Sequence, residues 1–269
     1  MPKLTIITIN FNHLQGLQRT IDSIIGQSFK DYEWIVVDGG SKDGSKHLLE
    51  QYQDRFAWWC SEPDKGVYNA MNKGLAHATG EYVNFMNSGD TFAATDTLEN
   101  VFSISRSADI LYGWMMREHI NGVLNNKAMM KHHVYWWDFY YYTFNHQATF
   151  TRRSLFEKYG GFDETYTILA DWHLFARFVG IHHVICEYIP LKIAIYEGGG
   201  ISETQSSNIQ SDLRRIRSEI YPALQEADIP NLYRLALCQR FAFTRWLNNI
   251  ATILAAKWDA LLMRRAKVI

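Results

Sequence analysis

The first 90 residues repeat one unit three times: a short apolar strand, a polar turn and a helix with one apolar face. We predict strands at residues 4–9, 34–37 and 57–60, and a fourth strand at 82–86. Strands that alternate with helices form parallel sheets with right-handed crossovers and helices on both faces. The sequence therefore predicts an α/β fold built on a mostly parallel central sheet.

The predicted strands all carry polar residues at or beyond their carboxyl ends. These residues are Thr8, Asn10, Asp38, Asp64 and Asp90. In open α/β sheets, ligands bind in the crevice beyond the carboxyl ends of the strands. We therefore predict that these residues gather around one ligand. Ordinary turn chemistry, such as an Asx turn after a strand, is the alternative explanation for each of them.

The regular alternation ends near residue 95, and three later segments allow two interpretations each. The aromatic run at 135–142 suits either a flap packed on the core or a platform for a substrate. The glycine-rich stretch at 197–202 suits either a mobile loop or a linker. Residues 206–269 show helical patterning, which predicts a helical extension whose last part either packs or lies on a membrane surface.

Positive charge is concentrated in residues 231–269, which carry seven Lys or Arg and one Asp in a chain of net charge −1. The near-neutral total argues against a general nucleic-acid-binding protein, so we expect no nucleic-acid partner. Anionic lipid attracts each basic residue close to its surface. We therefore favour contact between this amphipathic terminal stretch and the cytoplasmic face of a membrane.

The cysteines and the apolar runs indicate where the protein works. Three cysteines, an odd number far apart in the chain, suit a reducing cytosol. The N-terminal apolar run is short and lacks a cleavage site, and no run of 18 uncharged apolar residues occurs. We expect a cytoplasmic protein that is peripheral at the inner face of the cell membrane.

Four motifs occur in order: Thr-Ile-Asn-Phe-Asn at 8–12, Val-Asp-Gly-Gly-Ser-Lys-Asp-Gly-Ser at 37–45, Ser-Glu-Pro-Asp-Lys-Gly at 61–66 and Asn-Ser-Gly-Asp at 87–90. Together they resemble inverting family 2 glycosyltransferases, above all the bacterial members that build colanic acid, O-antigen or capsule repeat units. The resemblance implies the Rossmann-like GT-A fold. Its nucleotide-binding half is expected at 1–94 and its acceptor-binding half at 95–205, with the helical tail at 206–269 outside the match.

The resemblance also implies roles for individual residues. Asp171 is the expected catalytic base, although it could simply be a helix N-cap, and Asp90 is the expected ligand of Mn²⁺ or Mg²⁺. The expected nucleotide-sugar-binding residues are Thr8, Asn10, Asp38, Asp64, Gly66, Asn72, Lys73, Ser88 and Gly89, with Asp38 accepting from the uracil N–H. Five residues belong to the acceptor side or have no certain role: His146, Gln147, Trp172, Gly199 and Ser202.

The implied activity is inverting transfer of a hexosyl or N-acetylhexosaminyl group from a UDP-sugar to a lipid-linked saccharide, during synthesis of bacterial surface polysaccharide such as lipopolysaccharide. Asn87 and Gly89 stand where the family usually has metal-binding carboxylates, so the metal site is expected to be weak. The alternative is a catalytically weak or inactive nucleotide-sugar-binding partner subunit. The sugar, the linkage and the oligomeric state stay open, and an oligomer is possible.

Overall fold

The computed structural model describes residues 1–118, 124–127, 134–199 and 206–239. Its strands are β1 (Leu4–Asn10), β2 (Tyr32–Asp38), β3 (Trp58–Ser61), β4 (Tyr82–Phe85), β5 (Thr91–Phe92), β6 (Ile110–Glu118), β7 (Leu124–Lys127), β8 (Thr149–Arg152) and β9 (Cys186–Tyr196). Its α-helices are α1 (Leu14–Ile25), α2 (Ser45–Gln51), α3 (Val67–Leu75), α4 (Thr97–Phe102), α5 (Arg153–Tyr159), α6 (Ala170–Ala176), α7 (Ser206–Ile220) and α8 (Ile229–Gln239). Short 3₁₀ turns occur at Gln53–Arg55, Trp136–Tyr140, His146–Ala148 and Glu226–Asp228, and a π turn at Arg177–Ile181 continues α6.

The strands in the described part of the chain form one sheet in the order β3-β2-β1-β4-β8-β6-β9-β5, with β7 paired to β6. Strands β1 to β4 are parallel, as the alternation of strands and helices predicts. The far half is mixed, because β8 is antiparallel to β4 and β6 whereas β9 is parallel to β6. The α/β class is therefore confirmed, and the mixed half lies where the alternation ends in the sequence.

Strand β1 is buried along its whole length, as expected for a central strand covered on both faces. Helix α1 packs on one face through Leu17, Ile21 and Ile24, whose spacing forms one apolar side of a helix. Packing of this kind fixes the carboxyl end of β1. The polar residues that follow this strand therefore occupy set positions.

The turn after β2 contains Ser41, a residue type that often caps a helix. Helix α2 begins at Ser45, and its N-cap is Gly44 at φ 99°. Ser41 instead donates its hydroxyl to Asp38 Oδ1 at 2.5 Å. A buried carboxylate needs hydrogen-bond donors, and Ser41 supplies one of them to Asp38.

The chain divides into two compact units, Met1–Tyr221 and Pro222–Ile269. The first helix after the predicted boundary at 205, α7, belongs to the first unit. The described residues of the second unit form a 3₁₀ turn and α8. In the described ranges no helix is long and apolar enough to cross a membrane. The basic terminal stretch beyond residue 239 lies outside the described residues.

Candidate active site

A cavity of about 900 Å³ lies beyond the carboxyl ends of β1 and β4 and extends to helix α6. Its volume falls in the range of roughly 300–1,000 Å³ that is typical of small-molecule sites. Predicted site residues on its wall are Asn10, Asp64, Gly66, Ser88, Asp90, His146, Gln147, Asp171, Trp172 and Gly199. Thr8, Asp38, Asn72, Lys73 and Gly89 do not line it, and Ser202 lies outside the described residues.

Asn10 and Ser88 connect the ends of β1 and β4 on the floor of the cavity. Ser88 Oγ donates to Asn10 Oδ1 at 2.7 Å. Asn10 Nδ2 in turn donates to Asp38 Oδ1 at 2.7 Å. Because Asn10 is buried and bonded on both sides of its amide, it forms a fixed polar floor rather than an adaptable contact.

Asp38 lies beneath this floor and is fully buried. Its carboxylate oxygens accept hydrogen bonds from the side chains of Asn10, Ser41 and Ser61. Thr8 is also fully buried, and its hydroxyl accepts the Trp34 indole N–H at 3.0 Å. Both residues therefore support the floor from below. The nucleobase of a bound nucleotide could reach Asp38 only after one of the hydrogen bonds to Asp38 rearranges.

Asp64 and Gly66 line the cavity from the loop before α3. Asp64 Oδ1 accepts the Gly66 backbone N–H at 2.8 Å. Gly66 has φ 115°, a backbone conformation that residues other than glycine rarely adopt. The glycine therefore allows the chain to turn and place Asp64 at the cavity wall.

Asn72 and Lys73 point away from this wall. Asn72 exchanges two hydrogen bonds with the backbone of Phe162, at 2.9 and 3.0 Å, and donates to Glu164 at 2.8 Å. Lys73 donates to Glu62 at 2.9 Å. Asn72 thus ties α3 to the loop at 160–165, which precedes the segment that carries Asp171.

Asp90 is the most deeply buried carboxylate on the cavity wall, with 3% of its surface exposed. Its Oδ2 accepts the Gln147 amide N–H at 2.9 Å, and its Oδ1 accepts the Glu197 backbone N–H at 3.2 Å. Burial raises the pKa of Asp90 to about 6, although the hydrogen bond from Gln147 opposes the shift. A cation beside Asp90 would therefore relieve an unfavourable buried charge.

The donor set at this turn fits a weak site for a hard divalent cation. Asn87 Oδ1 is buried and accepts no hydrogen bond from the described residues. Carboxylate and amide oxygens are the ligands that Mg²⁺ and Mn²⁺ prefer. No group of three His, Cys, Asp or Glu suited to a metal occurs in the part of the chain that the structure describes. Asp90 and Asn87 would therefore need further oxygen ligands from a bound diphosphate and water.

Asp171 lies on the cavity wall at the start of α6. It is the second residue of the helix, whose N-cap is Leu169 and which has no side-chain cap. The alternative that Asp171 is an N-cap is therefore wrong. Asp171 Oδ2 lies 3.3 Å from His146 Nδ1. The helix dipole stabilises a negative charge in the first turn of a helix.

Tyr68 is a neighbour of Asp171 that the sequence did not indicate. Its hydroxyl donates to the Ile168 carbonyl and lies 3.5 Å from Asp171 Oδ1. Burial, with the charge of Asp171, raises the pKa of Tyr68 well above its ordinary value. The phenol therefore stays protonated. No local pattern could reveal this pair, because about 100 residues separate its members.

The aromatic run at 135–142 packs as a flap, the first of the two interpretations that the sequence left open. Phe139 is fully buried, and its carbonyl accepts the Trp172 indole N–H at 2.7 Å. Thr143 and Phe144, just after the run, line the cavity. The segment thus packs as a flap and also carries the chain to the wall near Asp171.

Glu197 is a cavity residue that we did not predict. Its carboxylate lies 3.1 Å from Arg19 Nη1 and 3.4 Å from His13 Nε2. Gly89, at φ 97°, leaves room for it, since a Cβ on Gly89 would lie 2.0 Å from Glu197 Oε2. The first residue of the glycine-rich stretch is thereby fixed, and Gly199 follows it along the wall.

A family model described as Glycosyl transferase family 2 matches residues 5–166, more than half of the chain. The chain belongs to glycosyl transferase family 2. The matched region contains all four sequence motifs and the turn that carries Asp90. The protein is therefore a glycosyltransferase with the GT-A fold, as the resemblance implies.

Two relatives and one solved structure extend this finding. An uncharacterized glycosyltransferase of Mycobacterium tuberculosis is 34% identical over 222 residues, covering 80% of this chain and 83% of its own. A PGL/p-HBAD biosynthesis glycosyltransferase of Mycobacterium bovis is 29% identical over 215 residues, covering 76% and 80%. Residues 1–349 of S. aureus TarS, crystallised with UDP-GlcNAc, align with a TM-score of 0.68 and 19% identity, over 84% of this chain and 68% of that one. The last likeness shows a shared fold.

Proposed function

We propose that this glycosyltransferase moves a sugar from a UDP-sugar to a lipid-linked saccharide, with inversion, during synthesis of bacterial surface polysaccharide. One observation carries the proposal: a single cavity is lined by both Asp90 and Asp171. Transfer needs a charge-neutralising site for the diphosphate and a base for the acceptor hydroxyl. The two carboxylates supply these two functions within one cavity.

The proposed donor site is the half of the cavity around Asn10, Asp64 and the turn at 87–90. Its fixed polar floor suits the ribose and base of a nucleotide, and the UDP-GlcNAc bound by TarS supports a UDP-sugar. Mn²⁺ or Mg²⁺ held by Asp90 and Asn87 would act as a Lewis acid for the diphosphate. The free lone pairs of Asn87 Oδ1 support this assignment.

The proposed reaction is a single in-line displacement. Asp171 takes the proton of the acceptor hydroxyl as its oxygen bonds to the anomeric carbon. The bond between that carbon and the diphosphate oxygen breaks, and the nucleotide leaves with the electron pair. Base assistance of this kind contributes about 10²–10⁴-fold to the rate.

The proposed acceptor is amphiphilic. Apolar side chains of Phe144, Leu169, Trp172 and Ile209 line the cavity together with Asp171. The basic stretch at 231–269 supports approach to an anionic membrane surface, where a lipid-linked acceptor resides. The Mycobacterium bovis relative is a PGL/p-HBAD biosynthesis glycosyltransferase, which supports a biosynthetic role for this chain.

The deciding experiment combines a donor screen with one substitution. A panel of nucleotide sugars with Mn²⁺ is tested by thermal shift, because a bound ligand stabilises the folded state by mass action. With the donor selected in this way, Asp171→Asn should abolish Mn²⁺-dependent hydrolysis and transfer while donor binding stays within about twofold. Asp54→Asn, at an exposed site on the chain, is the matched control.

The alternative is an inactive nucleotide-sugar-binding partner subunit, motivated by the missing carboxylates at Asn87 and Gly89. It predicts donor binding without hydrolysis in the wild-type protein. Wild-type turnover of the Asp171→Asn variant would instead disprove the base assignment. If no nucleotide sugar binds, the donor proposal itself fails.

A further inference from the structure

His146 stands between the two sides of the cavity. Its Nε2 lies 3.1 Å from Asn87 Nδ2, and its Nδ1 lies 3.3 Å from Asp171 Oδ2. An amide nitrogen can only donate, so His146 Nε2 accepts from Asn87. A neutral ring that accepts at Nε2 carries its proton on Nδ1. That N–H faces the Asp171 carboxylate.

The backbone of His146 is held by the same strand that leads to Asn87. Asn84, fully buried in β4, directs its amide nitrogen at the carbonyls of His146, Gln147 and Thr149, at 3.4, 3.0 and 2.9 Å. The ring is therefore fixed at its backbone and at Nε2. With both fixed, Nδ1–H becomes a pre-set donor for the carboxylate.

Asp171 depends on this donor for the orientation of one of its oxygens. Its Oδ1 accepts the Trp172 backbone N–H at 2.8 Å, within its own helix. Its Oδ2 has His146 as the partner from another element. The Tyr68 hydroxyl donates to the Ile168 carbonyl and lies 3.5 Å from Oδ1, so it restrains Oδ1 weakly and does not reach Oδ2. Without His146 the position of Oδ2 could shift, and a misplacement of about 1 Å can cost on the order of 100-fold in rate.

We propose that His146 is a positioning residue: its Nδ1–H orients the Asp171 carboxylate toward the acceptor hydroxyl, while Asn87 fixes its tautomer from the donor-side turn. The inference rests on the proposed role of Asp171 as the base and adds to it. It links the base to the turn that carries Asp90. Neither His146 nor Asn87 exchanges a proton with the substrate in this scheme.

Two substitutions of similar size separate positioning from simple packing. Asparagine at 146 can place an amide N–H near the site of Nδ1, whereas glutamine places its amide near the site of Nε2. We expect His146→Asn to keep kcat within about fivefold of wild type, and His146→Gln to lose about 10–100-fold. The donor KM should stay within about twofold in both variants.

The assay is Mn²⁺-dependent hydrolysis of the nucleotide sugar selected by the screen, followed as release of the nucleotide. His77, which stacks on Trp58 outside the cavity wall, provides the control pair His77→Asn and His77→Gln. Equal losses in the two His146 variants, or an effect confined to the donor KM, would overturn the proposal. If Asp171→Asn still turns over, the proposed base fails first, and the two failures are thus distinguishable.

Nitrogen NMR of the histidine side chains gives a readout that does not require activity. Comparison with His146→Asn assigns the ring, and we expect a proton on Nδ1 and none on Nε2. Asn87→Ala should release this preference, because it removes the donor to Nε2. A proton on Nε2 in the wild-type protein would contradict the proposed orientation.

Discussion

Gln147 donates its side-chain amide N–H to the carboxylate of Asp90 at 2.9 Å, across 57 residues of sequence. Asp90 follows β4 in the parallel half of the sheet, whereas Gln147 precedes β8 in the mixed half. The two meet because β8 pairs antiparallel with β4. A residue from the mixed half of the sheet therefore hydrogen-bonds the carboxylate of the expected metal ligand.

The raised pKa of Asp90 predicts a pH-dependent stability in the absence of metal and nucleotide. Burial raises this pKa to about 6 from an ordinary 3.8. The folded state therefore binds a proton more tightly than the unfolded state, and stability falls as pH rises from about 4 through 6. Asp90→Asn should remove this pH dependence and add about 1–3 kcal/mol to the free energy of unfolding at about pH 8.

Urea unfolding at several pH values measures this effect, with Asp54→Asn as the exposed control. The prediction is wrong if Asp90→Asn keeps the wild-type slope of stability against pH. The same variant should lose Mn²⁺-dependent binding of the donor, because it lacks the charged ligand.

Gly89→Ala should weaken both folding and donor binding. At φ 97° an alanine is strained by about 1–2 kcal/mol, and its Cβ would displace Glu197 from beside Asp90. Gly160→Ala is a matched control, since its φ is 83° but no atom lies within 4 Å of the new Cβ. Calorimetric titration with UDP and Mn²⁺ should show weaker binding for Gly89→Ala alone. Equal UDP affinity in the two variants would contradict the close approach of Glu197.

Asn72→Ala should destabilise the protein without weakening nucleotide binding. It removes hydrogen bonds to Phe162 and Glu164, worth about 1 kcal/mol each, so we expect a loss of about 2–3 kcal/mol in denaturant unfolding. Asn69→Ala loses two exposed hydrogen bonds, one to Glu164 and one from the Lys65 backbone N–H, and should lose about 1 kcal/mol or less. If Asn72→Ala lowered the affinity for UDP by more than about fivefold, Asn72 would contact the nucleotide, as the family resemblance implies.

Reversal of charge in the terminal stretch should reduce membrane binding. Each basic residue near an anionic surface contributes about 1 kcal/mol, so Arg264, Arg265 and Lys267 changed together to Glu should lower partitioning by on the order of 100-fold. Sedimentation with vesicles containing phosphatidylserine measures this. The control changes three exposed lysines, Lys30, Lys42 and Lys46, to Glu. Equal sedimentation of both variants would remove the proposed membrane contact.

Local sequence patterns were sufficient for the first four strands and for most of the polar residues at their ends. Asn10, Asp64, Ser88 and Asp90 line the cavity because parallel strands bring their carboxyl ends to one edge of the sheet. The motif positions did not distinguish the cavity wall from the layer beneath it. Asp38 belongs to that layer, since its neighbours Asn10, Ser41 and Ser61 satisfy its carboxylate.

The contacts that define the rest of the site join residues that lie far apart in the chain. Tyr68 with Asp171, and Glu197 with Arg19, have no periodic signal, because each pair depends on how separate elements pack. His146 was expected on the acceptor side or without a certain role, whereas its place between Asn87 and Asp171 is a property of the fold.

The sequence by itself determined the α/β class, the parallel half of the sheet and the turn that carries Asp90, because these follow from the short-range periodicity of strands and helices. Only the tertiary structure decided which polar groups hydrogen-bond to one another and which face the cavity. Packing between distant segments determines which partners a buried polar group finds for its hydrogen bonds. Asp38 is therefore fully hydrogen-bonded beneath the floor, whereas Asp90, His146 and Asp171 line one cavity.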